Sequence, residues 1–251
     1  MALDDDQLLR FSRQIMLPEL DVVGQEALLA ATVLIIGLGG LGSPAALYLA
    51  AAGVGRLLLS DDDRVEASNL QRQILHGVAD LGRPKTESAR TRLQSIAPAL
   101  VCETFPERLA GDALLAQVRR ADVVLDGTDN LASRYAMNRA CITAQVPLVS
   151  AAAIRFEAQW STFDFRRPDS PCYRCLWPDA GDDAAQNCAE NGVIAPLVGM
   201  VGSLQALEAI KLITGIGDTL VGRVQILDGL ASRFDSFRLQ RRADCPDCAG
   251  R

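Results

Sequence analysis

The chain has 251 residues, 49% of them hydrophobic and 22% charged, which suits a globular protein with a large buried core. Its formal net charge is −6, and without a basic stripe to displace counterions a nucleic-acid partner is not expected. The acidic start MALDDDQLLR lacks the basic-then-apolar layout of a secretion signal, and the apolar run from Val193 to Ile213 carries Gln205 and Glu208. That run reads as a packed core helix instead of a membrane span, so no membrane partner and a cytoplasmic location are expected.

In chain order, Asp5 to Leu17 has apolar residues at helical spacing, with Arg10 and Arg13 on a more polar side. This is a natural arm for a neighbouring subunit, and by position alone Arg13 reads as a solvated surface charge. Val33 to Ile36 reads as a buried parallel strand. Gly37, Gly39 and Gly42 then match G-x-G-x-x-G, and Ser43-Pro44 suits the first turn of a helix ending at Gly53. Strand, glycine turn and helix N-terminus make a cradle for an anion, since outward N–H groups and absent side chains let a phosphate approach. A dinucleotide is the first guess for such a turn, and a tight turn without ligand is the plain alternative.

Arg56 to Ser60 is a second strand ending in Asp61, Asp62 and Asp63. Asp61 is positioned for ribose hydroxyls and Asp62 reads as solvated, with Asp63 between the two. The polar set Asn69, Gln71, Arg72 and Gln73 follows, then a helix opening at Lys85 and running to about Ser95. A lysine at a helix start is unfavourable beside the dipole unless an anion sits there, so Arg72 and Lys85 are candidate phosphate ligands. The single histidine, His76, reads as an ordinary helix end and not as a catalytic acid or base. Ala121 to Leu125 is a strand leading into Asp126-Gly-Thr-Asp129-Asn130 and a helix from about Ala132. Asp129 could hold Mg²⁺ beside a phosphate cradle, or it could cap the helix. Pro147 to Ala151 is the next strand, and β-rich sequence follows through Trp160 to Phe165.

Four of the seven cysteines form two C-x-x-C pairs, Cys172/Cys175 and Cys245/Cys248. Two such knuckles complete a tetrahedral zinc site, the alternative being a redox dithiol. A four-thiolate shell has no open position, so the zinc is structural and ties the C-terminal tail to the body. Cys102 and Cys141 fall in apolar patterns and read as core. Cys188, in a polar Gly- and Asp-rich stretch, is either a plain surface thiol or a nucleophile.

The segments RFSRQI, VLIIGLGGLG, DDDRVEASNLQRQ, RPK, DGTDN, CYRC, GSLQALEAIK and CPDC, in this order, resemble the bacterial ThiF/MoeB proteins, relatives of the ubiquitin-activating enzymes. The resemblance spans nearly the whole chain, and CYRCLWPD, Asn187-Cys188 and the triple acid look more like ThiF than MoeB. It implies an α/β fold, a Rossmann-like and mostly parallel sheet with the nucleotide at the strand C-terminal ends, plus a β-rich C-terminal part with a Cys₄ zinc knuckle. Residues 1–251 would form one adenylation domain: a helical arm at 1–30, a nucleotide-binding core at 31–150 and a carrier-binding, zinc-containing part at 151–251. The implied activity is adenylation of the C-terminal Gly-Gly of a ubiquitin-like sulfur carrier by MgATP, with release of pyrophosphate. The carrier would be ThiS-like, from thiamine thiazole synthesis, or else MoaD-like.

Carried over residue by residue, Gly39 and Gly42 line the nucleotide site and Asp61 holds the ribose. Asn69, Arg72 and Lys85 bind the triphosphate, and Asp129 positions magnesium. Gly37, Gly40, Asp63, Gln73 and Asn130 complete the nucleotide set. The resemblance reverses the reading of Arg13, which is expected to reach the phosphates of a partner protomer in a homodimer. Cys188 matches the cysteine linked to the carrier through an acyl-disulfide. Two positions depart from the family pattern: Gly127 stands where many relatives have cysteine, and Ala97 replaces the asparagine of an N-P-D turn. With the chain ending soon after Cys248, the sulfur donor is expected to be a separate protein such as a cysteine desulfurase or rhodanese. An NAD-dependent dehydrogenase would use the glycine turn but not Arg13, Arg72, Lys85 and Asp129, and a scaffold that only docks a carrier would need none of the phosphate set.

Overall fold

Short apolar runs bounded by turn residues build the centre of the molecule, because a strand buried on both faces needs no alternation. The structure, a computed structural model, describes residues 3–178 and 192–250. The strands are β1 (Thr32–Ile36), β2 (Arg56–Ser60), β3 (Val101–Phe105), β4 (Val123–Asp126), β5 (Leu148–Ile154), β6 (Glu157–Phe163), β7 (Arg223–Asp228) and β8 (Arg233–Arg238). They form one sheet in the order β3-β2-β1-β4-β5-β6-β7-β8. β1 to β5 run parallel, and β6, β7 and β8 add on antiparallel. The β-rich C-terminal part is therefore a continuation of the parallel sheet and not a separate layer. β5 extends to Ile154, past the Ala151 expected from sequence, because its antiparallel pairing with β6 runs the full length of both strands.

The helices are α1 (Asp5–Arg10), α2 (Ser12–Ile15), α3 (Asp21–Ala30), α4 (Gly42–Ala52), α5 (Lys85–Ile96), α6 (Gly111–Val118), α7 (Leu131–Ala144), α8 (Tyr173–Leu176) and α9 (Ala195–Thr214). The single arm expected from Asp5 to Leu17 is broken at Phe11, whose ring is buried against Gly53 at the end of α4. Gly53 has φ +92°, and a side chain there would strike that ring. One face of the sheet packs Leu49 of α4, Leu93 of α5 and Ala209 of α9; the other packs Leu114 of α6 and Met137 of α7.

α9 is long and apolar enough to cross a membrane by composition, yet its polar residues are spent on the fold. Gln205 Nε2 donates to the Asp126 carbonyl at 2.8 Å. Glu208 accepts from Thr162 Oγ1 at 2.7 Å and from the Leu220 N–H at 2.8 Å, and it pairs with Lys211. In chain order the strand direction of build-up reverses between β1 and β4, so the loops after these strands part and open a crevice.

Candidate active site

A cleft of about 940 Å³ lies at the C-terminal ends of the parallel strands. Its floor is the glycine turn after β1. The Gly37 N–H donates to the Ser60 carbonyl at 2.8 Å, the Leu38 N–H donates to Asp61 Oδ2 at 2.6 Å, and Gly37 takes φ +89°. Gly37 and Gly127 touch backbone to backbone: a Cβ on Gly127 would come within 2.5 Å of the Gly37 carbonyl oxygen. Glycine at 127 permits that close approach, and a cysteine there would require the two turns to move apart. Gly39 and Gly40 line the cleft, but Gly42 does not. Gly42 is buried beneath the turn, where a Cβ would collide with the Gly37 carbonyl, so its work is to let the α4 backbone approach.

The acids after β2 divide as their environments dictate. The Asp61 side chain is 7% exposed, and burial pushes its carboxyl above the usual carboxylate range against the opposing pull of Lys85 and of the Leu38 and Asp63 N–H groups. Asp62 and Asp63 are exposed. Lys85, buried at the start of α5, donates to Asp63 Oδ2 at 2.8 Å and lies 4.0 Å from Asp61 Oδ1. The anion that sequence reasoning demanded at this helix start is thus partly supplied by the chain's own carboxylates. Asn69, Arg72, Gln73 and Lys85 all line the cleft. Arg72 is held by the Ser68 carbonyl at 3.1 Å, and Gln73 is 4% exposed with an Oε1 that has no partner among the described residues. A buried, unsatisfied amide oxygen on a cleft wall is costly unless a ligand or water reaches it.

The DGTDN loop after β4 divides its labour. Asp126 is 1% exposed and accepts from Ser150 Oγ at 2.7 Å, from Thr128 Oγ1 at 2.7 Å and from the Thr128 N–H at 3.0 Å. It also faces Arg134 Nε at 3.4 Å, so it locks the loop. The cap of α7 is Asn130, whose Oδ1 accepts from the Ser133 N–H at 2.9 Å, and not Asp129. This corrects the capping alternative for Asp129 and commits the Asn130 oxygen to the helix, although Asn130 still lines the cleft. Asp129 is exposed on the cleft wall with no hydrogen bond or ion pair among the described residues, a carboxylate free to take a cation.

Two cleft arginines escaped the sequence reading. Arg108 donates to Asn130 Oδ1 at 3.1 Å and to Ser133 Oγ at 2.7 Å. Arg134 donates to the Thr128 carbonyl at 2.6 Å and to the Ala151 carbonyl at 3.1 Å. The only signal for Arg134 was its place one turn beyond the α7 cap. Arg13 is exposed on α2, outside the cleft of its own chain. His76 is not at a helix end: it is buried behind the glycine turn. Cys188 and Asn187 lie outside the described residues.

The four paired cysteines come together, all buried, with sulfur separations of 3.8 Å (Cys172–Cys175), 3.6 Å (Cys172–Cys245) and 3.5 Å (Cys175–Cys248). Zn–S bonds of about 2.3 Å in a tetrahedron put sulfurs about 3.8 Å apart, whereas a disulfide needs about 2.05 Å. The donor set and spacing fit zinc. Hydrogen bonding from Cys172 and from the Arg242 N–H favours the Cys175 thiolate, while burial pushes the Cys248 thiol up. Of the remaining thiols, Cys141 is buried and Cys102 half-buried on β3, its thiol raised to about 11 by burial.

Against known proteins, the ThiF family model matches residues 11–247. The chain is 48% identical over 249 residues to the sulfur carrier protein ThiS adenylyltransferase of Escherichia coli K12, covering 99% of this chain and 98% of that one. It is 47% identical over 246 residues to the molybdopterin-synthase adenylyltransferase of Salmonella typhimurium, covering 98% of each. It is 48% identical to mouse MOCS3, an adenylyltransferase and sulfurtransferase, covering 98% of this chain but 53% of that one. Among solved structures, E. coli MccB with ATP superposes with a TM-score of 0.83 over 96% of this chain and 74% of that one at 23% identity, a likeness of fold.

Proposed function

The chain belongs to the ThiF family, and from that membership we propose that it is an ATP-dependent adenylyltransferase acting on the C-terminal Gly-Gly of a ThiS-like sulfur carrier. The observation that carries this reading is the 48% identity to a ThiS adenylyltransferase across both chains. The cleft supports it. Arg72, Lys85 and the newly found Arg108 and Arg134 line the cleft around the glycine turn, cations able to meet phosphate oxygens, beside the carboxylates Asp61, Asp63 and Asp129.

In this reading a carboxylate oxygen of the carrier attacks the α-phosphorus of ATP, the bond from that phosphorus to the bridging oxygen breaks, and pyrophosphate leaves with the electron pair. The product is an acyl-adenylate. The attacking carboxylate is already ionised at neutral pH, so no general base is required, which suits a chain with one histidine. The task for the protein is to bring two anions together and to spread charge at phosphorus. Asp61 would orient the ribose, Asn69, Arg72, Gln73 and Lys85 the phosphates, and Asp129 would hold magnesium, which neutralises phosphate charge when bound. Asp63, now the partner of Lys85, would release that lysine to a phosphate. The four cysteines would hold a structural zinc.

We also infer a homodimer. Leu9, Val23, Tyr48 and Leu207 are exposed on α1, α3, α4 and α9, an apolar surface beside the arm that bears Arg13. In that dimer Arg13 would reach the partner's phosphates. A cytoplasmic site, a separate sulfur donor and a covalent role for Cys188 complete the proposal. The near-equal identity to a molybdopterin-synthase adenylyltransferase favours a MoaD-like carrier as the second reading.

The test is ATP–pyrophosphate exchange with added ThiS-like and MoaD-like carriers. Exchange that depends on a carrier and falls about a hundredfold or more in Asp129→Ala supports the proposal. NAD binding without ATP binding overturns it.

A further inference from the structure

His76 is the only histidine and plays no part in the chemistry above, yet it is 6% exposed at the back of the nucleotide turn. Its Nε2 lies 3.1 Å from the Leu38 carbonyl oxygen, and its Nδ1 lies 2.8 Å from Ser88 Oγ on α5. A carbonyl only accepts, so Nε2 carries the proton and donates; in the neutral ring Nδ1 is left as an acceptor, facing a Ser88 hydroxyl that the Asp80 carboxylate also engages. The charged groups facing the ring are Lys85 and Asp80, and burial followed by Lys85 keeps the imidazole neutral by lowering its pKa.

The Leu38 carbonyl matters because of the peptide to which it belongs. It accepts from His76 and from Ser43 Oγ at 3.1 Å, while the Leu38 N–H is taken by Asp61 at 2.6 Å. Both peptides flanking Leu38 are therefore fixed. In a planar trans peptide the C=O and the following N–H point in opposite directions. With the Leu38 oxygen turned inward to His76, the Gly39 N–H is turned outward, and Gly39 lines the cleft. No acceptor for the Gly39 N–H occurs among the described residues. The turn thus presents a donor whose direction is set from behind by an imidazole.

We infer that His76 is a positioning residue of the nucleotide site, holding the Leu38–Gly39 peptide so that the Gly39 N–H meets a phosphate oxygen of the nucleotide. The Leu38 carbonyl itself selects the tautomer, and Ser88 supports the other side of the ring. The inference rests on the ATP reading given above. It differs from a packing role, because it predicts a loss confined to ligands that carry phosphate.

The experiment compares ATP and adenosine binding by calorimetry to wild-type protein and to His76→Leu, His76→Gln and Ser88→Ala. In His76→Leu the peptide keeps one anchor of two, and ATP affinity is expected to fall about tenfold, the usual scale for losing a hydrogen bond to a charged group. Adenosine affinity should be unchanged. Gln can bring an amide N–H to the place of Nε2 and should restore most of the ATP affinity. Equal losses for ATP and adenosine, or unchanged ATP affinity in His76→Leu, would overturn the inference. If His76→Leu fails to fold, Ser88→Ala decides, with a smaller loss again confined to ATP expected. Wild-type protein that bound no ATP would overturn the adenylation reading itself, and is thereby distinguishable from failure of the histidine's role alone.

Discussion

Removing metal from the four-cysteine knuckle should release the C-terminal tail while leaving the nucleotide cleft in place. Besides the sulfurs, ties of the segment beyond Gln240 to the described body include Asn138 Nδ2 donating to Asp247 Oδ2 at 2.8 Å and Arg241 donating to the Pro168 carbonyl at 2.9 Å. Two such bonds contribute about 2 kcal/mol net. Ordering about ten backbone residues costs on the order of 10 kcal/mol, which the bonds alone do not offset but a structural zinc, at about 10 kcal/mol or more, does. Tyr173 keeps a tie to the body that does not pass through the metal, since its N–H donates to Oδ1 of the buried Asn138 at 2.8 Å, so the cleft wall it forms should survive even though Asn138 loses Asp247. The assay is chelation with a colorimetric count of released metal, followed by limited trypsin digestion read by mass spectrometry. About one zinc per chain should be released, with rapid new cleavage at Arg241 and Arg242, and ATP should still bind, because the Tyr173 N–H keeps its bond to Asn138 when the tail leaves. Continued protection of Arg241 and Arg242 after complete chelation would refute the reasoning, as would a protected tail in protein purified without metal.

Gly42→Ala sets a methyl against the Gly37 carbonyl, and since the obstacle is backbone, the turn itself must move. A loss of about 1–3 kcal/mol in chemical denaturation, together with weakened ATP binding, is expected. Arg13→Ala and Asp129→Ala chains should each be inactive, but mixed and re-dimerised they should recover about a quarter of wild-type exchange, because half the dimers would hold one intact site. No recovery on mixing would place Arg13 outside the partner's site. His76 also makes stability depend on pH. Its folded pKa is lowered, chiefly by burial, so the unfolded chain binds the extra proton first. Stability is full above the unfolded value of about 6.5 and falls as pH drops toward the folded value. Melting temperatures between pH 7.5 and 5 should therefore decline more steeply in wild type than in His76→Gln.

The strand and turn signals of the first half were legible because each is local. TVLII, RLLLS and VVLD are short apolar runs ended by Gly or Asp; they became β1, β2 and β4, with β2 at its expected bounds and the other two shifted by a residue or two. The cysteine pairs were legible for a different reason: their spacing encodes the geometry of a metal whatever lies between them. What sequence could not give were partners distant along the chain. Asp126 and Asp129 are three residues apart in one motif and look interchangeable on paper. One is sealed by Ser150, Arg134 and the backbone contact from Gln205, residues from three other elements, and the other faces the cleft. Arg108 and Arg134 were invisible because an arginine's use depends on which carbonyls and carboxylates surround it. His76 was misjudged for the same reason, since its carbonyl partner lies 38 positions away. Groups set by a local turn or a fixed spacing, such as Gly37 to Gly42 and the cysteine pairs, left a motif in the sequence. Chemistry that reaches a ligand through another residue's backbone left none, because the intermediary here is a main-chain carbonyl, the same whatever side chain Leu38 carries.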